Sequence, residues 1–344
     1  KAKQKIPEWY DQLGLIWPST LSMEQCSSQT TAAYKASLVS GKVMADLTGG
    51  FGVDTYYLSK YFQEAFHIES NESLQKIAAH NFSQLESKIQ SLNLTAEQFL
   101  QRQDQTFDLL YLDPARRDDQ KKKVVFLEDY APNVIDLLPQ LLERSKHVLL
   151  KTSPMLDIKK AISDLSYVAE VHVVSVKNEV KELLFVIYKS SSHPTLIKSV
   201  NLASDQPEFQ FLLEQEAATT AKLGESDQFL YEPNASILKS GAFNQVAKQF
   251  ELKKLDRNTH LYTSEQRVAN FPGRVFQVIG ELSLNKKRLK KQFKKDQANI
   301  TVRNYPMSVA EIRKKTGLKE GGSDYIFACT ELGARKLLLC EKVK

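Results

Sequence analysis

Two carboxylates at strand ends and one glycine-rich turn carry the chemistry this sequence can do. Asp46-Leu47-Thr48-Gly49-Gly50-Phe51-Gly52-Val53-Asp54 follows the apolar run that opens at Val43, and Phe107-Asp108-Leu109-Leu110-Tyr111-Leu112 runs into Asp113-Pro114-Ala115-Arg116-Arg117. A strand that enters glycines and then a helix brings backbone N–H groups close to a small ligand. The spacing Asp46-x-Thr48-x-Gly50-x-Gly52-x-Asp54 has a leading carboxylate and no third glycine, which departs from a dinucleotide fingerprint. A carboxylate there meets an ammonium, while Gly50 and Gly52 admit a ligand that has no phosphates to cradle. Glu69 closes Phe66-His67-Ile68-Glu69, where a carboxylate takes both hydroxyls of a ribose.

An amino-acid ammonium plus a ribose, without pyrophosphate, describes S-adenosylmethionine (SAM), the ligand expected on the turn. Side by side in a parallel sheet, the strands ending at Asp46 and Asp113 form one crevice at their carboxyl edge.

The elements that must position these residues follow βα spacing from Gly41 onward. Strands are expected over Lys42 to Leu47, Ala65 to Ile68, near Leu92 to Leu94, over Leu109 to Leu112 and over His147 to Leu150. Helices alternate with them over Asp54 to Phe62, Ser73 to Leu85, Ala96 to Gln101, Tyr130 to Leu142 and Ile158 to Leu165. Val171 to Val176 and Leu183 to Tyr188, joined by a short polar turn, predict an antiparallel pair. The expected fold is α/β, a doubly wound parallel sheet with a reversed last strand at its edge. Residues 1–40 form a helical segment ahead of it, where Ser27 and Ser28 are placed to cap a helix packed at the edge of the sheet.

Ser190 to Pro194 reads as a linker, so the expected domains are 1–40, 41–192, 193–272 and 273–344. In the third, Glu232 to Ala235 and Thr263 to Glu265 bound a small α/β, ferredoxin-like unit with an extended stretch over Lys253 to Leu261. In the fourth, a strand over Val275 to Leu284 and a basic helix over Lys286 to Lys295 open a compact α+β module. A strand over Ile300 to Asn304, a helix over Val309 to Thr316 and a closing strand pair complete it.

A chain of 344 residues with 42% hydrophobic content fills a core for two or three domains. No apolar run approaches the roughly 20 residues of a membrane helix. The chain opens at Lys1 rather than at Met, as a fragment would, and shows no signal-peptide pattern. Three cysteines without Cys-x-x-Cys spacing and six scattered histidines argue against a disulfide framework and a metal site, and fit a reducing cytoplasm. From Leu261 onward there are 18 Lys plus Arg against 8 Asp plus Glu, a net of +10, whereas residues 1–260 carry 29 against 33. The densest run, Lys286 to Lys295, sets Leu289 and Phe293 on one helical face. It reads either as a solvated helix with an apolar seam or as a phosphate-tracking surface through Lys287, Lys290, Lys291 and Lys294.

Asp46 to Asp54, Glu69 and Asp113-Pro114-Ala115-Arg116 resemble the motifs of class I SAM-dependent methyltransferases, over about residues 40–190. Glu24 to Ser28, Asn304 to Ser308 and Gly321 to Asp324 are similar to the subgroup that joins this domain to a C-terminal THUMP-like domain. The resemblance implies that Asp46, Thr48, Gly50, Gly52 and Asp54 hold the methionine part, Glu69 the ribose, and the segment from Thr95 to Glu97 the adenine. Where the family usually has Asp for the adenine amine, this chain has Thr95. It also implies a catalytic role for Asp113, Pro114 and Arg116. In enzymes that methylate exocyclic amines a similar Asp/Asn-Pro-Pro-aromatic tetrad accepts hydrogen bonds from the amine and stacks on the base. Here Ala115 and Arg116 replace the proline and the aromatic, so stacking falls to the guanidinium plane or to another element. Arg116 and Arg117 alternatively meet phosphate or pair with Asp118 and Asp119. Lys151, Ser153, Glu179 and Glu182 stand at expected loop ends where substrate contacts arise. With no cysteine between residues 27 and 328, covalent C5 methylation is disfavoured.

The expected function is methyl transfer from SAM to a base nitrogen in ribosomal or transfer RNA, with RNA bound by the basic module. Two alternatives stand beside it: a protein that binds SAM without transferring its methyl, and a small-molecule methyltransferase whose C-terminal module dimerises. No membrane is expected as a partner, and the oligomeric state is open.

Overall fold

The computed structural model describes residues 1–116, 126–189, 194–293 and 295–343, without the side chains of Arg116, Lys290 and Lys291. The roles assigned to Arg117 and Lys294, to those three side chains and to the linker at residues 190–193 thus lie outside the described residues. The chain divides into two units, Lys1–Lys198 and Ser199–Lys344.

The first unit opens with α1 (Ala2–Lys5), α2 (Pro7–Tyr10), α3 (Thr20–Gln25) and α4 (Gln29–Ala36). The Ser19 and Ser28 hydroxyls accept the N–H groups of Ser22 and Thr31 and so cap α3 and α4. Trp9, wholly buried, packs edge-on against Phe51 and Tyr56 with ring centroids 5.3 and 5.4 Å away, which fastens these helices to the glycine turn.

Alternation then begins: β1 (Gly41–Asp46), α5 (Val53–Ser59), β2 (Phe62–Ile68), α6 (Glu72–Gln84), β3 (Gln90–Leu92), α7 (Ala96–Arg102) and β4 (Phe107–Leu112). Two short strands, β5 (Ala115–Arg116) and β6 (Tyr130–Ala131), pair with each other. After them come α8 (Val134–Arg144), β7 (Ser145–Thr152), α9 (Ile158–Asp164), β8 (Val168–Val176) and β9 (Glu179–Ile187). The helix expected from Tyr130 starts at Val134, because Pro132 disfavours helical backbone at Ala131 and Asn133 supplies the cap.

These strands stand in the order β8-β9-β7-β4-β1-β2-β3. Pairs from β7 to β3 are parallel, and β9 runs antiparallel to both β7 and β8. The reversed strand is therefore present, but it is interior rather than at the edge. Leu183 to Ile187 is buried at every position, the continuous apolar pattern of a strand covered on both faces. Lys177 and Asn178, with φ of 51° and 66°, form the mirror-image two-residue turn that fits the right-handed twist of β8 and β9. Connections leave β1 and β4 in opposite directions, so a crevice opens between their carboxyl ends.

In the second unit β10 (Leu196–Leu202) spans the division, followed by β11 (Phe209–Leu212), α10 (Leu213–Ala218), β12 (Phe229–Pro233), α11 (Ala235–Ser240), α12 (Phe243–Gln249), β13 (Lys253–Lys254) and β14 (Tyr262–Ser264). Then come β15 (Gly273–Glu281), α13 (Lys286–Gln292), β16 (Asn299–Arg303), α14 (Val309–Thr316), β17 (Asp324–Glu331) and β18 (Ala334–Lys342). Seven of its strands form one sheet, β13-β14-β12-β15-β18-β17-β16, in which only β16 and β17 pair in parallel. Glu232-Pro233 and Thr263-Ser264, expected as boundaries, lie inside β12 and β14; the buried Thr263 hydroxyl donates to the Phe229 carbonyl at 2.8 Å. Lys253 to Leu261 is extended only at its first two residues, after which Leu255 N–H reaches the Leu261 carbonyl at 3.0 Å. Leu289 and Phe293 are buried against Ile312 and Ile326, so the seam of α13 is core, while Lys286, Lys287 and Arg288 are exposed. Among the described residues no helix is long and apolar enough to cross a membrane.

Candidate active site

The crevice between β1 and β4 is a cleft of about 980 Å³, at the upper end of the size range of small-molecule sites. β1 delivers Asp46 to its floor. That carboxyl is 1% exposed; Oδ1 accepts the Thr48 N–H at 3.0 Å and Oδ2 accepts the Thr55 hydroxyl at 2.6 Å. Burial pushes it up to about 8 despite those bonds, so it is mostly neutral at pH 7.

The turn after β1 needs glycine for two different reasons. Gly52 has φ of +88°, and a Cβ there would stand 2.4 Å from the Phe82 ring. A Cβ on Gly49 would stand 2.2 Å from the His67 ring, a requirement set by the neighbouring strand β2. Burial holds His67 down to about 4, so its neutral ring bonds Ser91 Oγ at 3.0 Å and the Gly50 carbonyl at 3.2 Å beneath the turn. Glu69 braces the turn from β2: Oε2 accepts the Gly50 N–H at 2.9 Å and Oε1 the Asn71 N–H at 2.6 Å. Oε2 keeps a second lone pair for a ligand hydroxyl, while Oε1 also accepts a long bond from the Ser70 hydroxyl at 3.5 Å. Thr95 stands at the rim as the cap of α7, where its hydroxyl accepts the Gln98 N–H at 3.2 Å.

Thr48 ties the turn to the tip of β4, since its hydroxyl accepts the Asp113 N–H at 2.5 Å. Asp113, its side chain 30% exposed, faces the cleft with Oδ2 paired to Lys151 Nζ, and the neighbouring Pro114 is buried in the wall. Leu112 and Leu150 are register partners in β4 and β7, which brings the residues that follow them together. Lys151, expected as a substrate contact, is thus a partner of Asp113. Burial alone would lower its pKa, but Asp113, Glu182 and Asp54 outweigh it, and the ammonium is held above its ordinary range. Ser153 also lines the cleft, with Oγ accepting the Met155 N–H at 3.2 Å. Lys287 belongs to the second unit.

Two expected contacts are engaged by partners within the protein. Asp54, read as a donor contact, accepts the Ser27 and Tyr111 hydroxyls at 2.7 and 2.8 Å and pairs with Lys35 at 3.2 Å. Burial pushes its carboxyl up, but Lys35, Lys151 and those hydroxyls prevail and hold it below the usual range. Glu182, read as a substrate contact, is 2% exposed and grips Lys35, whereas Glu179 pairs with Lys181 on the surface. Ser27, expected as a cap, bonds Asp54 instead while Ser28 caps α4, and the places of Lys35 and Tyr111 beside Asp54 were not foreseen. The signal for Lys35 was its place on the face of α4 that also buries Thr31, Ala32 and Ala36.

A buried, raised carboxyl for an ammonium, a turn whose Gly49 and Gly52 leave no room for a Cβ, and Glu69 beside it suit an adenosyl amino acid. The fold and the cleft together define a class I SAM-dependent methyltransferase. The THUMP domain-like family matches residues 273–342 and a ferredoxin-like domain family residues 229–272. A solved protein of Porphyromonas gingivalis, assigned as a methyltransferase, is 32% identical and superposes with a TM-score of 0.92, over 100% of this chain and 88% of that one. Proteins of two Mycobacterium tuberculosis strains, assigned as SAM-dependent methyltransferases, are 20% identical over 327 residues, 92% of this chain and 85% of theirs. The chain belongs to the class I SAM-dependent methyltransferases that carry a C-terminal THUMP-like domain.

One pH dependence follows from Asp46. A carboxyl raised to about 8 is protonated at pH 7 and must ionise to pair with an incoming ammonium. Donor binding at pH 7 is therefore expected to release close to one proton, and affinity to rise as pH climbs toward 8. Calorimetry in two buffers of different ionisation enthalpy reads that proton. Release unchanged in Asp46→Asn would rule the assignment out. Without donor the sign is opposite: the stability this group contributes is complete below its ordinary value of 3.8 and lost as pH rises through about 8.

Proposed function

We propose that the chain methylates a base nitrogen of ribosomal or transfer RNA. The observation that carries this reading is the Asp113 carboxylate, fixed at the tip of β4 in the same cleft as the donor turn. The donor supplies an electrophilic methyl on a positively charged sulfur. Asp113 accepts an N–H of the target amine and turns the nitrogen lone pair toward that methyl. The C–S bond breaks as the N–C bond forms, and the nitrogen's proton leaves to Asp113 or to solvent. Catalysis of this kind is positioning and exclusion of water, with no covalent enzyme intermediate. On the donor side, Asp46 and the turn from Thr48 to Gly52 hold the methionine part, Glu69 the ribose, and the rim at Thr95 the adenine.

RNA as the substrate is supported by the net charge of +10 after Leu261 and by the exposed cations of α13. In this reading residues 41–192 perform the transfer, and 193–272 with 273–344 present the nucleic acid. The test replaces Lys286, Lys287 and Arg288 together by Glu. All three lie in the first turn of α13, where acidic residues suit the helix, so the module stays folded. Retention of RNA is expected to weaken, with the salt slope falling by about 1 per lost phosphate contact, while SAM affinity holds. Equal retention at low salt would remove the basic surface from the account.

A further inference from the structure

Beneath the cleft lies more buried charge than donor binding needs. Lys35 Nζ, wholly buried, stands 2.7 and 2.9 Å from the two oxygens of Glu182, 3.1 Å from Ser27 Oγ and 3.2 Å from Asp54 Oδ1. Both Glu182 oxygens accept from one ammonium, the geometry of an ion pair, although burial pushes that carboxyl up against the pull of Lys35 and Lys151. Lys151, paired with Asp113, feels Glu182 and Asp54 as well. Two ammonium groups and three carboxylates thus form one cluster, buried at Lys35, Glu182 and Asp54 and part-buried at Lys151 and Asp113, drawn from α4, α5, β7, β9 and the tip of β4.

Desolvation costs several kcal/mol per buried ion, and apolar replacement of such a pair is often neutral or stabilising, so fold stability alone does not account for the cluster. Competition does. Three carboxylates act on Lys151, and Asp113 is the one it pairs with. While Lys35 neutralises Glu182 and Asp54, Lys151 is left to Asp113. Lys5 holds the adjoining α3 in place by donating to the Met23 and Glu24 carbonyls at 3.0 and 2.6 Å.

We propose that Lys35 is a positioning residue for methyl transfer: it occupies Glu182 and Asp54 so that Lys151 stays on the Asp113 carboxylate, which makes the N-terminal helix α4 part of the active site. This rests on the reading of Asp113 as acceptor of the target nitrogen.

The test measures kcat and the KM for SAM with RNA from cells lacking the protein, counting rate per donor-binding site so that unfolded molecules drop out. Lys35→Met, or Lys35→Gln should the first not fold, is expected to lower kcat per site by roughly 10- to 100-fold with KM for SAM little changed, the size of a misplaced contact. Adding Glu182→Gln removes the stronger competitor and is expected to recover most of that loss. A merely structural Lys35 would lower the number of competent sites and leave kcat per site alone. Wild-type kcat per site in the Lys35 variants, or a loss undiminished in the double variant, would overturn the proposal. Asp113→Asn in the same assay separates the layers: full activity there sinks the acceptor reading itself, whereas an inactive Asp113→Asn beside an active Lys35→Met sinks only this inference.

Discussion

Asp113→Asn is expected to cut methyl transfer by roughly 100-fold or more and to leave SAM affinity nearly unchanged, the signature of an interaction made only with the reacting group. The amide keeps the shape of the side chain and one acceptor oxygen, so the Thr48 hydroxyl still receives the backbone N–H of residue 113. What it loses is the charge that holds Lys151 and that strengthens a hydrogen bond from the amine. The Lys151 ammonium is then left without its cleft-side partner and turns toward Glu182 and Asp54. Single-turnover rates at saturating SAM, set beside calorimetric donor binding, measure the two quantities separately. A variant that loses donor affinity and rate in proportion would move Asp113 from the acceptor side of the cleft to the donor side.

Gly52→Val is expected to abolish donor binding and to lower stability by about 2 to 5 kcal/mol, a fall in Tm on the order of 10 °C. Two costs combine. A φ of +88° is strained for any L side chain and worst for a β-branched one, and the new Cβ would sit 2.4 Å from the Phe82 ring of α6. Gly50→Ala provides the contrast. Its φ of +56° lies in the left-handed region, but its Cβ would meet only the Thr48 carbonyl oxygen at 3.9 Å, so about 1 to 2 kcal/mol is expected. Equal destabilisation by the two substitutions would show that Phe82 yields readily and that packing does not shape the turn.

The alternation of strands and helices was legible because each apolar run is short and bounded, and because the turn residues fall between runs. The interior place of β9 was not deduced, though the unbroken apolar run from Leu183 to Ile187 carries it, since an edge strand has no need to bury every side chain. In the second unit, polar residues concealed strands. Thr263 and Ser264 read as a boundary, yet Thr263 bonds the Phe229 carbonyl and Ser264 bonds the Tyr231 hydroxyl across β12 and β14. At the site, residue types and spacing pointed to Asp46, Glu69 and Asp113. The partners were hidden, because they depend on register and on long-range packing. Lys151 meets Asp113 only because Leu150 pairs with Leu112, and Asp54 is tied to Lys35 and Ser27 only because α4 and the residue before its cap pack against it. Gly49 was passed over because its requirement comes from His67, on the neighbouring strand.

The most direct measurement supplies SAM with a labelled methyl group to RNA from cells lacking the protein and maps the label to a nucleotide and an atom. The account predicts label on a base nitrogen of ribosomal or transfer RNA, absent with Asp113→Asn. Label confined to small molecules, or no transfer by protein that binds SAM, would contradict it.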